Sequence, residues 1–183
     1  MKIETNIIKG KALDRYFNLL NSLAEFQKLF SYEEPNDLAI VIVGGSFLDT
    51  LLENILVEFF PEDDKEVEGL FEYNYPLGTY SAKIKITYSL GLIEKAVKND
   101  LKLIGKIRNR FAHDLNTSFN DENIIAWCKE LKWHEFSFMQ DPPQSATSRD
   151  LFQVGVNTLI SNLHGVVSIA RGQKRKILNT EDI

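Results

Sequence analysis

The sequence holds a single cysteine, Cys128, so no internal disulfide can form. A reducing compartment, the cytoplasm, is the expected setting. Metal-ligand spacing is missing too. His113, His134, His164 and Cys128 stand apart, with no C-x-x-C or H-E-x-x-H arrangement, so neither a metal nor a cofactor is expected. There is no P-loop, no dinucleotide fingerprint and no G-x-S-x-G elbow; Gly44-Gly45-Ser46 lies inside an apolar segment and reads as packing. Positive charge is short. The net charge of -5 argues against a general nucleic-acid binder, which would be basic. The longest unbroken apolar run, Leu38–Val43, is far from the ~20 residues that span a bilayer, so no membrane partner is expected. The first residues, MKIETNIIKGKALDRYF, carry no apolar core of a signal peptide. No internal repeat or low-complexity tract occurs.

What remains is ordinary for a globular protein: 183 residues, 44% hydrophobic and 26% charged, enough for one core. Residues 11–31 place Leu13, Tyr16, Phe17, Leu20, Leu23, Ala24 and Phe30 on one helical face. Pro35 suits the first position of a second helix, with Asp37 in its first turn. That segment, 36–60, is the most apolar of the chain. Its three–four spacing from Phe47 to Phe60 predicts a helix buried on most sides, stopped by Pro61. Gly44-Gly45 would admit a close neighbour or kink it. An acidic connection follows, 61–78, whose aromatics Phe71, Tyr73 and Tyr75 predict a segment packed down on the body. Residues 79–92 fit a strand by alternation, or a helix through Ala82, Ile86, Leu90 and Ile93. A helix is expected over 93–113, then a short one over 121–131 capped by Asn120. The segment 132–148, with Pro142-Pro143, reads as a loop and the place for flexibility. Ser148 is placed as the cap of a last helix, about 149–172, and the basic tail after it as frayed.

Charge is polarised along the chain. From Lys83 to Arg110 eight lysines and arginines face two acids, Glu94 and Asp100; from Glu53 to Glu72 eight acids face one base, Lys65. The acidic run could steer a cationic partner, with Glu62, Asp63, Asp64, Glu66 and Glu68 as its charges and Phe71, Tyr73 and Tyr75 as anchors. The densest stretch is 76–119. Within it the apolar stripe Val97, Leu101, Ile104, Ile107 and Phe111 has Arg108 beside it, a half-buried guanidinium that needs an acceptor. Lys98, Lys102, Lys106 and Arg110 recur every four residues as a basic ridge, which reads as a solvated outer face or as phosphate contacts.

The run PLG-x-x-S-x-K-I-K-x-x-Y-x-L-G-L-I, then I-R-N-R-F-A-H-D and S-F-x-D-E-x-I, resembles the mannitol operon repressor family of small helical bacterial proteins, over about residues 40–131. The Arg-Asn-x-x-x-His spacing is also shared with HEPN domains, a helical superfamily that includes metal-independent RNases. The resemblance settles residues 79–92 as helix. It implies a regulatory role, although no DNA-reading element is evident. Two readings of Arg108, Asn109 and His113 stand side by side. In the HEPN-like one, His113 is a general base, Arg108 holds a phosphate and Asn109 orients His113, with two copies meeting in a homodimer. In the other the group is structural: Asp114 competes for the same donors, and Arg108 binds the 115–119 carbonyls and pins Phe119 in the core.

The expectation is therefore one all-α domain, 1–183, a bundle of about six or seven helices around a buried central helix. Its family-like core is 36–131, its loop 132–148 and its last helix 149–172. The leading function is non-enzymatic: binding another protein, of basic character, as a regulator or as an immunity-type partner that neutralises a toxin. A HEPN-like RNase is the alternative, and direct DNA repression the remotest.

Overall fold

The structure, a computed structural model, describes residues 11–62, 64–133 and 143–178. Among them are seven helices: α1 (Lys11–Leu29), α2 (Asp37–Phe59), α3 (Asp64–Gly69), α4 (Tyr80–Ser89), α5 (Lys95–His113), α6 (Glu122–Lys129) and α7 (Ser148–Gly172). No strand occurs among the described residues, so the chain is all-α.

The central helix is α2, against which α1, α4, α5 and α7 all pack, α7 most extensively. Ile40, Val41, Leu48, Leu51, Leu52, Ile55 and Leu56 are fully buried in it. By length and composition α2 could cross a membrane, which no unbroken apolar run in the sequence suggested. More than half of its apolar window, 56%, is instead buried inside the bundle. The start of α2 differs from expectation. Pro35 stays outside it, and Asn36, extended at φ -89°, accepts the Ala39 N–H at 3.2 Å. The helix ends where Phe60 turns extended ahead of Pro61, the conformation a residue before proline prefers. Gly44-Gly45 does not break it. A Cβ on Gly44 would meet the Phe30 ring at 2.9 Å, so the pair serves close approach.

Thr79 caps α4, accepting the Ala82 N–H at 3.2 Å. Its buried positions are Tyr80, Lys83, Ile84 and Thr87, not the expected stripe through Ala82, Ile86 and Leu90. On that face Lys83 reaches Asp49 and Glu53 of α2, and the Tyr80 ring lies under Arg108 of α5. The last two caps also shift by one residue. Asp121 rather than Asn120 precedes α6. Thr147 rather than Ser148 caps α7, in a reciprocal box with Asp150. Most of the expected 132–148 loop, including His134 and Pro142, lies outside the described residues, as does the reading of it as flexible.

The end of α7 and the start of the tail, expected to be frayed, are tied to the body as far as Arg175. Arg171 Nε donates to Glu58 Oε2 at 2.9 Å, and the Arg175 amide donates to the Phe59 carbonyl at 2.8 Å. Arg15 Nε reaches the other oxygen of Glu58 at 2.9 Å. Glu58, 2% exposed, thus ties α1, α2 and α7 together. Burial raises its carboxyl pKa, but the hydrogen bonds from Arg171 and Arg15 outweigh that and hold it below the ordinary value.

Candidate functional site

The amphipathic helix α5 buries Val97, Leu101, Ile104, Ile107 and Phe111, as its spacing predicts, and leaves Arg108 half-buried at the edge. The guanidinium lies over the ring of Tyr80, 5.0 Å from its centre, and donates a long 3.5 Å hydrogen bond to Asn109 Oδ1. Two glycines make room for this. A Cβ on Gly45 would stand 2.7 Å from Arg108 Cδ, and one on Gly105 would stand 2.9 Å from the Tyr80 ring. Tyr80 is buried, and among the described residues its hydroxyl has no hydrogen-bond partner; burial drives its pKa far up, against the opposing field of Arg108.

His113 ends α5 and is exposed, as is Asn109. Among the described residues no hydrogen bond joins His113 to Asn109 or to Arg108. The contacts that hold the following turn come from Arg110, not Arg108. Arg110 pairs with Asp114 at 3.1 Å, and the Arg110 carbonyl accepts the Thr117 hydroxyl at 3.4 Å. Asp114 Oδ1 takes the Asn116 amide at 3.0 Å. Phe119 is buried between Phe111 and Phe152, with ring centres 5.2 and 5.5 Å away. The five residues of the expected network therefore divide: Asp114 and Phe119 build the turn, while Arg108 faces α4.

The basic ridge lies outside the core, and two of its lysines rest on aromatic rings. Lys98 Nζ is 3.9 Å from the Tyr88 ring centre and Lys106 Nζ 4.0 Å from that of Trp127. Sequence spacing showed no aromatic beside the ridge, because both rings arrive from other elements. Lys83, counted with the basic run, is buried; its ammonium lies 2.7 Å from Glu53 and 3.1 Å from Asp49.

The acidic segment sits at the C-terminal end of α2. Val67 and Leu77 are buried and anchor it, while Glu62, Glu66, Glu68 and Glu72 are exposed. Phe71 is half-buried near Lys83, 5.9 Å from the ammonium to the ring centre. Tyr73 and Tyr75 are not packed down as expected: they are 87% and 54% exposed. Asp63 and the side chain of Asp64 lie outside the described residues. Beside this segment a cleft of about 330 Å³ is lined by Arg15, Glu53, Val57, Glu62, Glu68 and Lys174. Among the described residues no group of three or more His, Cys, Asp and Glu side chains is placed to hold a metal ion.

A family model described as MtlR, mannitol repressor, matches residues 32–169. The chain belongs to the mannitol repressor family. That match takes in α2 to α6 and most of α7, and with them Arg108, His113 and the acidic segment; α1 and the residues after Ile169 fall outside it. The mannitol operon repressor of Escherichia coli strain K12 is 34% identical over 111 residues, which is 54% of this chain and 56% of that protein. The counterpart from E. coli O6:H1, strain CFT073, matches to the same extent. The chain thus aligns with little more than half the length of these curated relatives. In fold it resembles a chain in the X-ray structure of the MtlR–HPr complex from E. coli, with a TM-score of 0.55 over 82% of this chain and 98% of that one, at 22% identity.

Proposed function

We propose that this member of the mannitol repressor family is a non-enzymatic cytoplasmic regulator that acts by binding another protein through the acidic, tyrosine-bearing face around α3. The observation that carries the reading is that Tyr73 and Tyr75, both large and exposed, lie in the same segment as the exposed Glu62, Glu66, Glu68 and Glu72. Exposed tyrosines supply contact area at low entropic cost, and the surrounding carboxylates favour a partner with a cationic patch. The fold likeness to a chain solved in an MtlR–HPr complex supports a protein partner, and makes an HPr-type protein the first one to try.

The test is affinity capture from native extract, with HPr as a defined second ligand. The wild-type chain is run beside Tyr73→Ala/Tyr75→Ala and Glu62→Lys/Glu68→Lys. The expected result is a specific protein retained by the wild type and lost from both variants. Equal retention by all three would reject this face as the docking surface.

A further inference from the structure

The acidic face already has a cationic occupant, and it comes from the chain itself. After α7 the chain at Lys174 and Arg175 lies against the C-terminal end of α2, while Lys176, Ile177 and Leu178 are exposed. Three contacts hold it there: Arg171 on Glu58 at 2.9 Å, the Arg175 amide on the Phe59 carbonyl at 2.8 Å, and Lys174 near Glu62 at 3.8 Å. The consequence is a lysine side chain, 23% exposed, lining the same cleft as Glu53, Glu62 and Glu68. These contacts differ in strength. In the Glu58 pair the carboxylate is buried and Arg171 partly so, and Arg15 adds a second hydrogen bond to the same carboxylate. The Lys174–Glu62 pair is long and Glu62 is 79% exposed, so it holds weakly. The chain is thus held on both sides of Lys174, at Arg171 and at the Arg175 amide, while the Lys174 side chain itself is loosely paired.

We infer that the segment 173–178 is an internal competitor for the acidic face, with Lys174 standing where a lysine or arginine of the partner would go. The inference rests on the docking surface proposed above. A cationic partner reaching Glu62 and Glu68 meets Lys174 first. Binding then exchanges one ion pair for another and loosens the chain around Lys174 and Arg175. The intramolecular contact lowers apparent affinity by the fraction of time the tail is docked. It favours partners with several basic groups over isolated cations, which cannot outcompete a tethered lysine.

A synthetic heptalysine peptide serves as the probe, titrated at low salt into the full chain. Lys174→Met removes the competing charge, and Arg175→Pro removes the amide that docks the tail. Lys176→Met is the control, since it changes net charge equally at an exposed position. Lys174→Met and Arg175→Pro should each tighten binding roughly twofold to fivefold, the worth of a weak surface ion pair. Lys176→Met should leave affinity close to wild type. Saturating peptide should also speed hydrogen exchange at the Arg175 amide. Glu62→Lys/Glu68→Lys separates the docking surface from the competing tail. If it fails to weaken peptide binding, or the peptide does not bind at all, the acidic face itself is wrong and the tail inference falls with it. If it does weaken binding, yet Lys174→Met changes affinity no more than Lys176→Met and the Arg175 amide stays protected, the competitor alone is overturned.

Discussion

The ammonium of Lys83 lies 2.7 Å from Oε2 of Glu53, across the interface between α4 and α2. In sequence these residues open the basic and the acidic runs, thirty positions apart. In the fold they neutralise each other, together with Asp49 at 3.1 Å, so the polarisation along the chain is partly consumed inside it. Lys83 is 4% exposed, whereas its partners reach solvent. Replacing it with Met keeps the stem's volume but strands two carboxylates at the edge of the core. The expected loss is about 1–3 kcal/mol in urea denaturation, the usual cost of an orphaned charged partner. Adding Glu53→Gln and Asp49→Asn should recover part of it. A variant as stable as wild type would show that the pair is idle.

Glu58 makes stability depend on acid. Its carboxyl is held below the ordinary value despite burial, because Arg171 and Arg15 donate to it. A depressed native pKa stabilises the fold wherever the unfolded chain would have lost its proton. That contribution is fully present above about pH 5 and vanishes as pH falls through the native value. Asp150, held low by its bonds from Thr147, acts in the same direction. Glu58→Gln should therefore cost about 1–3 kcal/mol at neutral pH and flatten the acid limb of the stability curve. Denaturation midpoints measured from pH 7 to pH 3 check it; parallel curves for the two proteins would contradict it.

The two glycines around Arg108 should respond differently to alanine. At Gly45 the new methyl meets Arg108 Cδ, part of a flexible chain that can swing toward solvent. The gain in helix propensity, about 1 kcal/mol, then offsets most of the displacement. At Gly105 it meets the Tyr80 ring, which is buried and cannot leave. Gly105→Ala should cost about 1–3 kcal/mol, the penalty of overpacking, while Gly45→Ala stays near neutral. Thermal melts of the two variants decide it, and equal shifts would mean that the Tyr80 ring is freer than its burial implies.

Much of this architecture was legible from periodicity. The stripe of α5 and the run of buried residues in α2 follow from spacing alone, because a helix that long must bury one face. The caps were less legible. Asn36, Asp121 and Thr147 each adjoin a second residue capable of the role, and the choice is made by which backbone turns extended. The face of α4 was illegible for another reason. Tyr80 and Lys83 find their partners on α5 and α2, and no local pattern records a tertiary contact. The same holds for the tail, where Glu58 takes the Arg171 guanidinium and Phe59 takes the backbone amide of Arg175. Of the candidate site, the acids and aromatics were legible as a composition. The exposure of Tyr73 and Tyr75 was not, since no local pattern in an irregular segment records which side chains face solvent.

The geometry at the end of α5 separates Arg108 from His113 by consequence. Arg108 stacks on Tyr80 and packs against Gly45, so Arg108→Ala removes contacts along its whole stem. About 1–2 kcal/mol should be lost in denaturation. His113 is exposed and free of hydrogen bonds to Arg108 and Asn109 among the described residues, so His113→Ala should change stability by less than about 0.5 kcal/mol. Neither variant should alter cleavage of RNA incubated with the protein in EDTA, and His113→Ala should retain the captured partner. A catalytic pair would behave otherwise, because removing either member abolishes the reaction whatever its effect on stability. Histidine-dependent cleavage in that assay would overturn the non-enzymatic reading, and would require Arg108 to leave the Tyr80 ring and turn outward beside His113.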